Sequence, residues 1–248
     1  MHLTLTGLFR GLLGFGSNEA RRGKEVEKIK GEEDHAYVRG NIANRGPCPG
    51  LNALANQGYL PRDGKIISLP RVEAALMTAL HMSAPLARTL AHQLQPLCHP
   101  DGTFDLVDMR QHNVIEHDVS FTRLDFRQGD NYTFQPGMFA AMLADAGDGP
   151  TTVKTLAKTY KRRQREEKES GAPGLGVRLY FVSLVQTVSF LHTAETGGKL
   201  GREVMRVFYE EERFPEVVMG NGEVRRLRGL VGMTLELVGW LWFGVGRG

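Results

Sequence analysis

The sequence predicts a mostly α-helical, single-domain protein, and three observations carry that expectation. Apolar residues recur at helical spacing through most of the chain after residue 47. Proline, serine, threonine and glycine fall where helices should start and stop. No run alternates apolar and polar residues long enough to build a sheet.

The elements follow in order. Pro49 to Gln57 is a short helix ended by Gly58, and Ser68-Leu-Pro70 supplies an N-cap and a first-turn proline for the next. That helix points Val72, Leu76, Ala79 and Leu80 inward, and Pro85 opens another with Leu86, Leu90 and Leu94 inward. Residues 106–111 make a short helical turn. Gln135–Gly147 uses Pro136 to start and Gly147 to stop. Thr151 or Thr152 caps a long helix with Val153, Leu156, Ala157 and Tyr160 on its apolar face. Its end, KRRQREEKES, interleaves arginine with glutamate, so a solvated end with internal ion pairs is expected. Residues 177–193 form an apolar helix through Val177, Tyr180, Phe181, Leu184, Val185, Val188 and Leu191. Residues 201–212 form another, ended by Phe214-Pro215, and a small hairpin is expected near Val217–Val224.

Composition excludes several function classes. The chain has 248 residues, 41% hydrophobic and 24% charged, which is globular rather than disordered. Its 30 glycines have no triplet period, and the chain carries no internal repeat. Two cysteines, Cys48 and Cys98, cannot make a disulfide framework or a four-thiolate zinc site. A net charge of +3 gives no reason to expect a nucleic-acid partner. The oligomeric state is not legible.

Residues 1–44 read as a polar N-terminal arm and 45–228 as the domain. Arg10 interrupts the apolar start, so it is a poor secretory signal and an intracellular location is expected over secretion. The segment 229–248 is apolar apart from Glu236 and Arg247, glycine-broken and too short to span a bilayer. It should pack on the domain, with Trp240, Trp242 and Phe243 available for a weak membrane contact.

Two segments carry the chemistry. In RGPCPGLNALANQGYLPRDGK, Pro47 and Pro49 hold the backbone on both sides of Cys48, and neither donates an N–H. A helix begins directly afterwards, placing the sulfur near free amides and the positive dipole end. That setting predicts a lowered thiol pKa and a thiolate. A buried structural cysteine in a tight turn is the alternative. In HNVIEHDVSFTRLDFRQGDN, Glu116, His117 and Asp118 are adjacent, with Ile115, Val119 and Phe121 interleaved. A partly buried carboxylate there needs a cation, from Arg123 or a metal ion. His112, His117 and an acid would be a zinc set, but in no known zinc spacing.

PCPGLNALANQGYLPRDGK followed by IEHDVSFTRLD resembles the fungal haem-thiolate peroxidases, the chloroperoxidases and unspecific peroxygenases, in the chloroperoxidase-type Glu-His-Asp version. FYEEERFP, at residues 208–215, is a third and weaker match, and the resemblance spans roughly residues 45–220. It implies a chloroperoxidase-like helical fold holding haem b, with Cys48 as the axial ligand of the iron. Pro47, Pro49, Leu51 and Asn52 would surround that ligand. It also implies hydrogen peroxide as oxidant and an apolar organic substrate, in a fungal secondary-metabolite pathway. Glu116, the His117 backbone and Ser120 match positions that hold Mg²⁺ or Mn²⁺ against a haem propionate. The His117 side chain matches the histidine that orients a distal acid–base glutamate, while Asp118 and Arg123 hold the loop. Ile115, Phe181 and Val185 would shape a fairly open substrate pocket.

The catalytic candidates are therefore His117, Gln186 and Glu116. The departure lies at Gln186, which occupies the position of the family's acid–base glutamate. Glutamine can hydrogen-bond a peroxide but cannot take and return a proton. Three readings follow. His117 serves as base, Glu195 reaches the pocket instead, or the haem serves a non-peroxygenase rearrangement or coupling.

Overall fold

Helix starts in this chain are fixed by side-chain caps and by proline. The computed structural model describes residues 34–194 and 196–244. The first helix, α1 (Pro49–Asn56), has Cys48 at its N-cap and Pro49 in its first turn. Strand β1 (Ile67–Ser68) runs into α2 (Leu69–Leu80), whose first turn Ser68 caps by accepting the Arg71 N–H. Helix α3 (Ala84–His92) follows, with Pro85 in its first turn. Strand β2 (Thr103–Phe104) pairs antiparallel with β1, Ile67 opposite Phe104.

Helices α4 (Pro136–Ala146), α5 (Val153–Glu169) and α6 (Val177–Ala194) make the middle of the chain. Thr152 caps α5 by accepting the Thr155 N–H. Helices α7 (Arg202–Tyr209), α8 (Glu216–Met219) and α9 (Leu227–Gly239) follow, and a short π-helical turn spans Trp240–Gly244. Helix α9 packs on α6, and α2 packs on α3. One continuous apolar core joins them, so the mostly α, single-domain expectation holds.

The structure corrects several local expectations. Val217–Val224 holds no hairpin: Pro215, at φ −64°, leads into the helical turn α8 instead. Val217 and Val224 are about half exposed, so no apolar face is available to drive strand pairing there. Val177, expected to face inward on α6, is exposed in the helix's first turn.

The arm is not simply solvated from residue 34 onward. Val38 N–H donates to the Asn56 carbonyl at 2.9 Å, and Tyr37 Oη donates to the Glu211 carbonyl at 2.7 Å. Arg45 is fully buried and donates from Nη2 to Asn56 Oδ1 and the Arg62 carbonyl, both at 2.8 Å. Residues 1–33 and Glu195 lie outside the described residues, as do the arm's first part and the Glu195 reading that fall on them.

The end of α5 also differs. Arg162 does bridge Asp145 and Glu166 near the surface. Arg163, however, is buried against Asp125, Nη2 to Oδ1 at 2.8 Å, and its Nε donates to the Ser120 carbonyl at 2.8 Å. Arg163 keeps the expected pair with Glu166 on its own helix and adds a tertiary partner, Asp125, 38 residues away. Removing one member of a buried ion pair leaves the other uncompensated. Arg163→Met should therefore lower unfolding free energy by about 3 kcal/mol, measured by urea denaturation. A loss below about 1 kcal/mol, the ceiling for a surface pair, would contradict this role.

Candidate active site

Cys48 sits where three distant segments meet. Its helix is anchored by Asn52, whose Nδ2 donates to the Gly46 carbonyl and to Glu212 Oε1, both at 2.8 Å. Asn52 Oδ1 accepts the Gly46 N–H at 3.1 Å, so the Pro-Cys-Pro turn is pinned from both sides. Glu212 Oε1 also accepts from Arg123 Nη2 at 2.7 Å, and the Glu212 carbonyl accepts from Asn56 Nδ2 at 3.1 Å. Glu212 is buried and left-handed, at φ +51°. A strained, buried carboxylate persists where its surroundings over-determine it.

Asn52 thus holds the turn beside Cys48 and, unlike Pro47, Pro49 and Leu51, does not line the cavity. Glu212 was not legible: FYEEERFP offers three glutamates, and no pattern says which one turns inward. Its left-handed backbone was equally hidden.

The cavity measures about 340 Å³. Cys48 lines it with Pro47, Pro49 and Leu51. Beside them, Phe190 and Phe208 stack at a centroid distance of 3.6 Å, and Phe214 lies 5.3 Å from Phe208. Glu116, His117, Ser120 and Gln186 line it too, as do the expected pocket residues Ile115, Phe181 and Val185. The walls are mostly aliphatic and aromatic, with few polar groups, as in small-molecule sites.

The Cys48 thiol departs from the expectation of a lowered pKa. Burial pushes it up, and the Glu212 charge adds to that. The Leu51 and Gly50 amides and the Arg123 charge pull it down, but burial prevails. Helix-start amides were read correctly from sequence; the depth of the sulfur was not. A metal ion deprotonates such a thiol outright on binding.

His117 is buried, and its Nδ1 donates to the Asp118 carbonyl at 2.6 Å. Burial lowers its pKa, opposed by that carbonyl and by Gln186. With Nδ1 carrying the proton, Nε2 of the neutral ring holds a lone pair. Nε2 makes no hydrogen bond of normal geometry, and Gln186 is the side chain beside it. The structure therefore brings Gln186 to the histidine it was matched with. Tyr160, also in the cavity wall, shares a 2.6 Å hydrogen bond with Ser183 Oγ, and burial raises its pKa to about 12. It remains a neutral hydroxyl.

The loop carrying Glu116 and His117 is strained. Val119 adopts φ +71°, an outlier for a β-branched residue. Asp125 Oδ1 accepts the Val119 N–H at 2.8 Å while it also pairs with Arg163. Asp118 Oδ1 accepts the Phe126 N–H at 2.8 Å, so Asp118 braces the loop as expected. Arg123 instead reaches across to Glu212.

Of the expected cation ligands, Ser120 Oγ lies 3.3 Å from the His117 carbonyl, but the Glu116 carboxylate turns toward His112. The zinc set of His112 and His117 is not formed: the cluster contains His112, Glu116 and Asp118.

The cavity suits haem by its chemistry. A thiol lies deep in an apolar wall, and three buried polar atoms bordering the cavity lack hydrogen bonds: Glu116 Oε1, His117 Nε2 and Arg123 Nε. An apolar ring with polar edge groups complements such a lining.

Comparisons with known proteins agree with the geometry. The family described as "Peroxidase, family 2" matches residues 35–222. The chain is 30% identical over 142 residues to a chloroperoxidase of Leptoxyphium fumago, covering 51% of this chain and 38% of that protein. It is 26% identical over 222 residues to an aromatic peroxygenase of Coprinellus radians, covering 76% of this chain and 84% of that one. It is 45% identical over 136 residues to the dothistromin biosynthesis peroxidase dotB of Dothistroma septosporum, covering 44% and 31%.

A raised thiol pKa has a measurable consequence. Between pH 6 and 8 the thiol is protonated, so haem uptake through Cys48 must release a proton. Apparent haem affinity of the haem-free chain should rise by about tenfold per pH unit below the thiol pKa, followed by absorbance titration. Cys48→Ser should flatten this slope, and a flat slope in the unchanged chain would contradict thiol ligation.

Proposed function

Because the chain belongs to peroxidase family 2, the fungal haem-thiolate peroxidases, we propose that it is a haem-thiolate oxidoreductase acting on an apolar organic substrate with hydrogen peroxide. The observation that carries the reading is Cys48 at the wall of a 340 Å³ apolar cavity, with His117 and Gln186 bordering the same space. The name of the dotB relative supports a place in biosynthesis of a secondary metabolite.

Haem b bound through Cys48 would supply electron-rich iron, the thiolate ligand favouring O–O cleavage. The chain's own residues do the rest. Pro47 and Pro49 fix the direction of the sulfur, and the Gly50 and Leu51 amides stabilise its charge. The aliphatic and aromatic walls admit an apolar substrate and exclude bulk water. Gln186 can donate its amide hydrogen to a peroxide oxygen and orient it. His117 Nε2, with its free lone pair, is the group that can accept a proton there. Mg²⁺ or Mn²⁺ at Glu116, the His117 carbonyl and Ser120 belongs to the same reading. The exposed rings of Trp242 and Phe243 support a weak contact with a membrane surface. Among the described residues, no helix is long and apolar enough to cross a membrane.

Gln186 favours a second reading. A glutamine beside the histidine weakens proton transfer, which suits a haem-dependent rearrangement or oxidative coupling over peroxygenation. Both readings require the thiolate: the reduced CO complex should show the thiolate red shift of its Soret band, lost in Cys48→Ala and kept in Cys98→Ala. No Soret band, or no shift in the unchanged chain, would remove both. Gln186→Glu separates them. Under the second reading, peroxide turnover is negligible in the unchanged chain and rises by about 10²-fold or more, read by stopped-flow absorbance. Rapid turnover of standard peroxygenase substrates by the unchanged chain favours the first.

A further inference from the structure

We propose that Arg178, in the first turn of α6, is a specificity-determining residue that docks a carboxylate at one end of an elongated organic substrate. This rests on the proposed function and narrows its substrate class to an apolar body carrying an acid group. Arg178 borders the cavity and is exposed. Its Nη2 donates to the Asn113 carbonyl at 3.1 Å and to the Val114 carbonyl at 2.6 Å. The guanidinium is thereby held against the loop that carries Glu116 and His117. Among the described residues, its Nε and Nη1 make no hydrogen bond and no carboxylate pairs with it.

The charge balance of the cavity points to an anion. The other arginine bordering it, Arg123, is buried and neutralised by Glu212 at 2.7 Å. The carboxylate bordering it, Glu116, turns to His112 at 2.9 Å. Arg178 is thus the arginine there without a countercharge among the described residues. Its position is also unfavourable for the helix. A cation at a helix N-terminus opposes the macrodipole, and the first turn of α6 has no acidic residue to offset it. Local choices that work against the fold concentrate at functional sites.

Helix geometry fixes what the rest of the ligand meets. Arg178, Phe181 and Val185 border the cavity at helical spacing along one face of α6, and Gln186 follows. At the helical rise per residue, Gln186 stands about 12 Å from Arg178 along the axis. A carboxylate held at Arg178 would lay an apolar ring or chain over Phe181 and Val185. Its far end would reach Gln186 and His117. Val177, beside Arg178, is exposed, which gives this end of the cavity an apolar rim as well as a charge. A guanidinium matches a carboxylate in shape and charge, and one placed polar group in an apolar site fixes orientation.

The test is calorimetry on the full haem-loaded chain at neutral pH. It compares phenylbutyrate with phenylbutanol, alike in apolar body and unlike in charge. The acid should bind about tenfold more tightly, the difference made by a charge-assisted hydrogen bond. Arg178→Gln should abolish that preference and leave the alcohol's affinity unchanged, while Arg178→Lys should keep part of it. If Arg178→Gln disturbs the loop, the unchanged chain provides the second readout: salt at about 1 M, where the screening length is about 3 Å, should narrow the ratio of acid to alcohol affinity. The Soret band of the reduced CO complex reports the proposed function separately, so its failure and the failure of docking are distinguishable. Equal affinity for acid and alcohol, or a preference that survives Arg178→Gln or is indifferent to salt, would overturn the docking role. Loss of haem in Arg178→Gln with the acid preference intact would assign Arg178 to a carboxylate of the haem and overturn it too.

Discussion

The Glu212 carboxylate is the contact on which the site depends. One oxygen, Oε1, accepts from Asn52 at 2.8 Å and from Arg123 at 2.7 Å. Those residues belong to the cysteine turn and to the strained loop, which are far apart in sequence. A neutral side chain at 212 would leave Arg123 buried with its charge uncompensated. Without an acceptor at 212, Asn52 would keep its two bonds to Gly46 but lose its tie to the Arg123 loop. The left-handed backbone of Glu212 is the strain that this arrangement sustains.

That hub also acts on the sulfur through charge. Arg123 favours the thiolate, whereas Glu212 and burial oppose it. The two charges oppose each other at Cys48, and burial outweighs the amide donors. A half-buried thiol held protonated at the cavity wall is a weak nucleophile until a metal takes its proton. Rigid placement, rather than prior ionisation, is what the fold supplies at this position.

Much of the architecture was legible because it is local. Ser68, Thr152, Pro49 and Pro136 mark helix starts by capping and fixed φ, which sequence displays directly. The cavity wall was legible where long motifs allowed a match: Cys48, His117 and Gln186 do border one space. What stayed hidden was long-range. Arg163 looked solvated because its sequence neighbours are charged, yet it is buried and pairs with Asp125 as well as with Glu166. The resemblance set Asn52 beside the Cys48 ligand, but its partners Gly46 and Glu212 are fixed only by the tertiary fold. The hairpin expected at Val217–Val224 missed a local signal, because Pro215 ends one helix and also starts the next helical turn.

The proposed function stands on a direct bond between the Cys48 sulfur at the cavity wall and iron. Iron-edge X-ray absorption on the haem-loaded chain tests it most directly. The expected result is one sulfur scatterer in the first shell of the iron, absent in Cys48→Ala. A first shell of nitrogen and oxygen alone in the unchanged chain would contradict the claim.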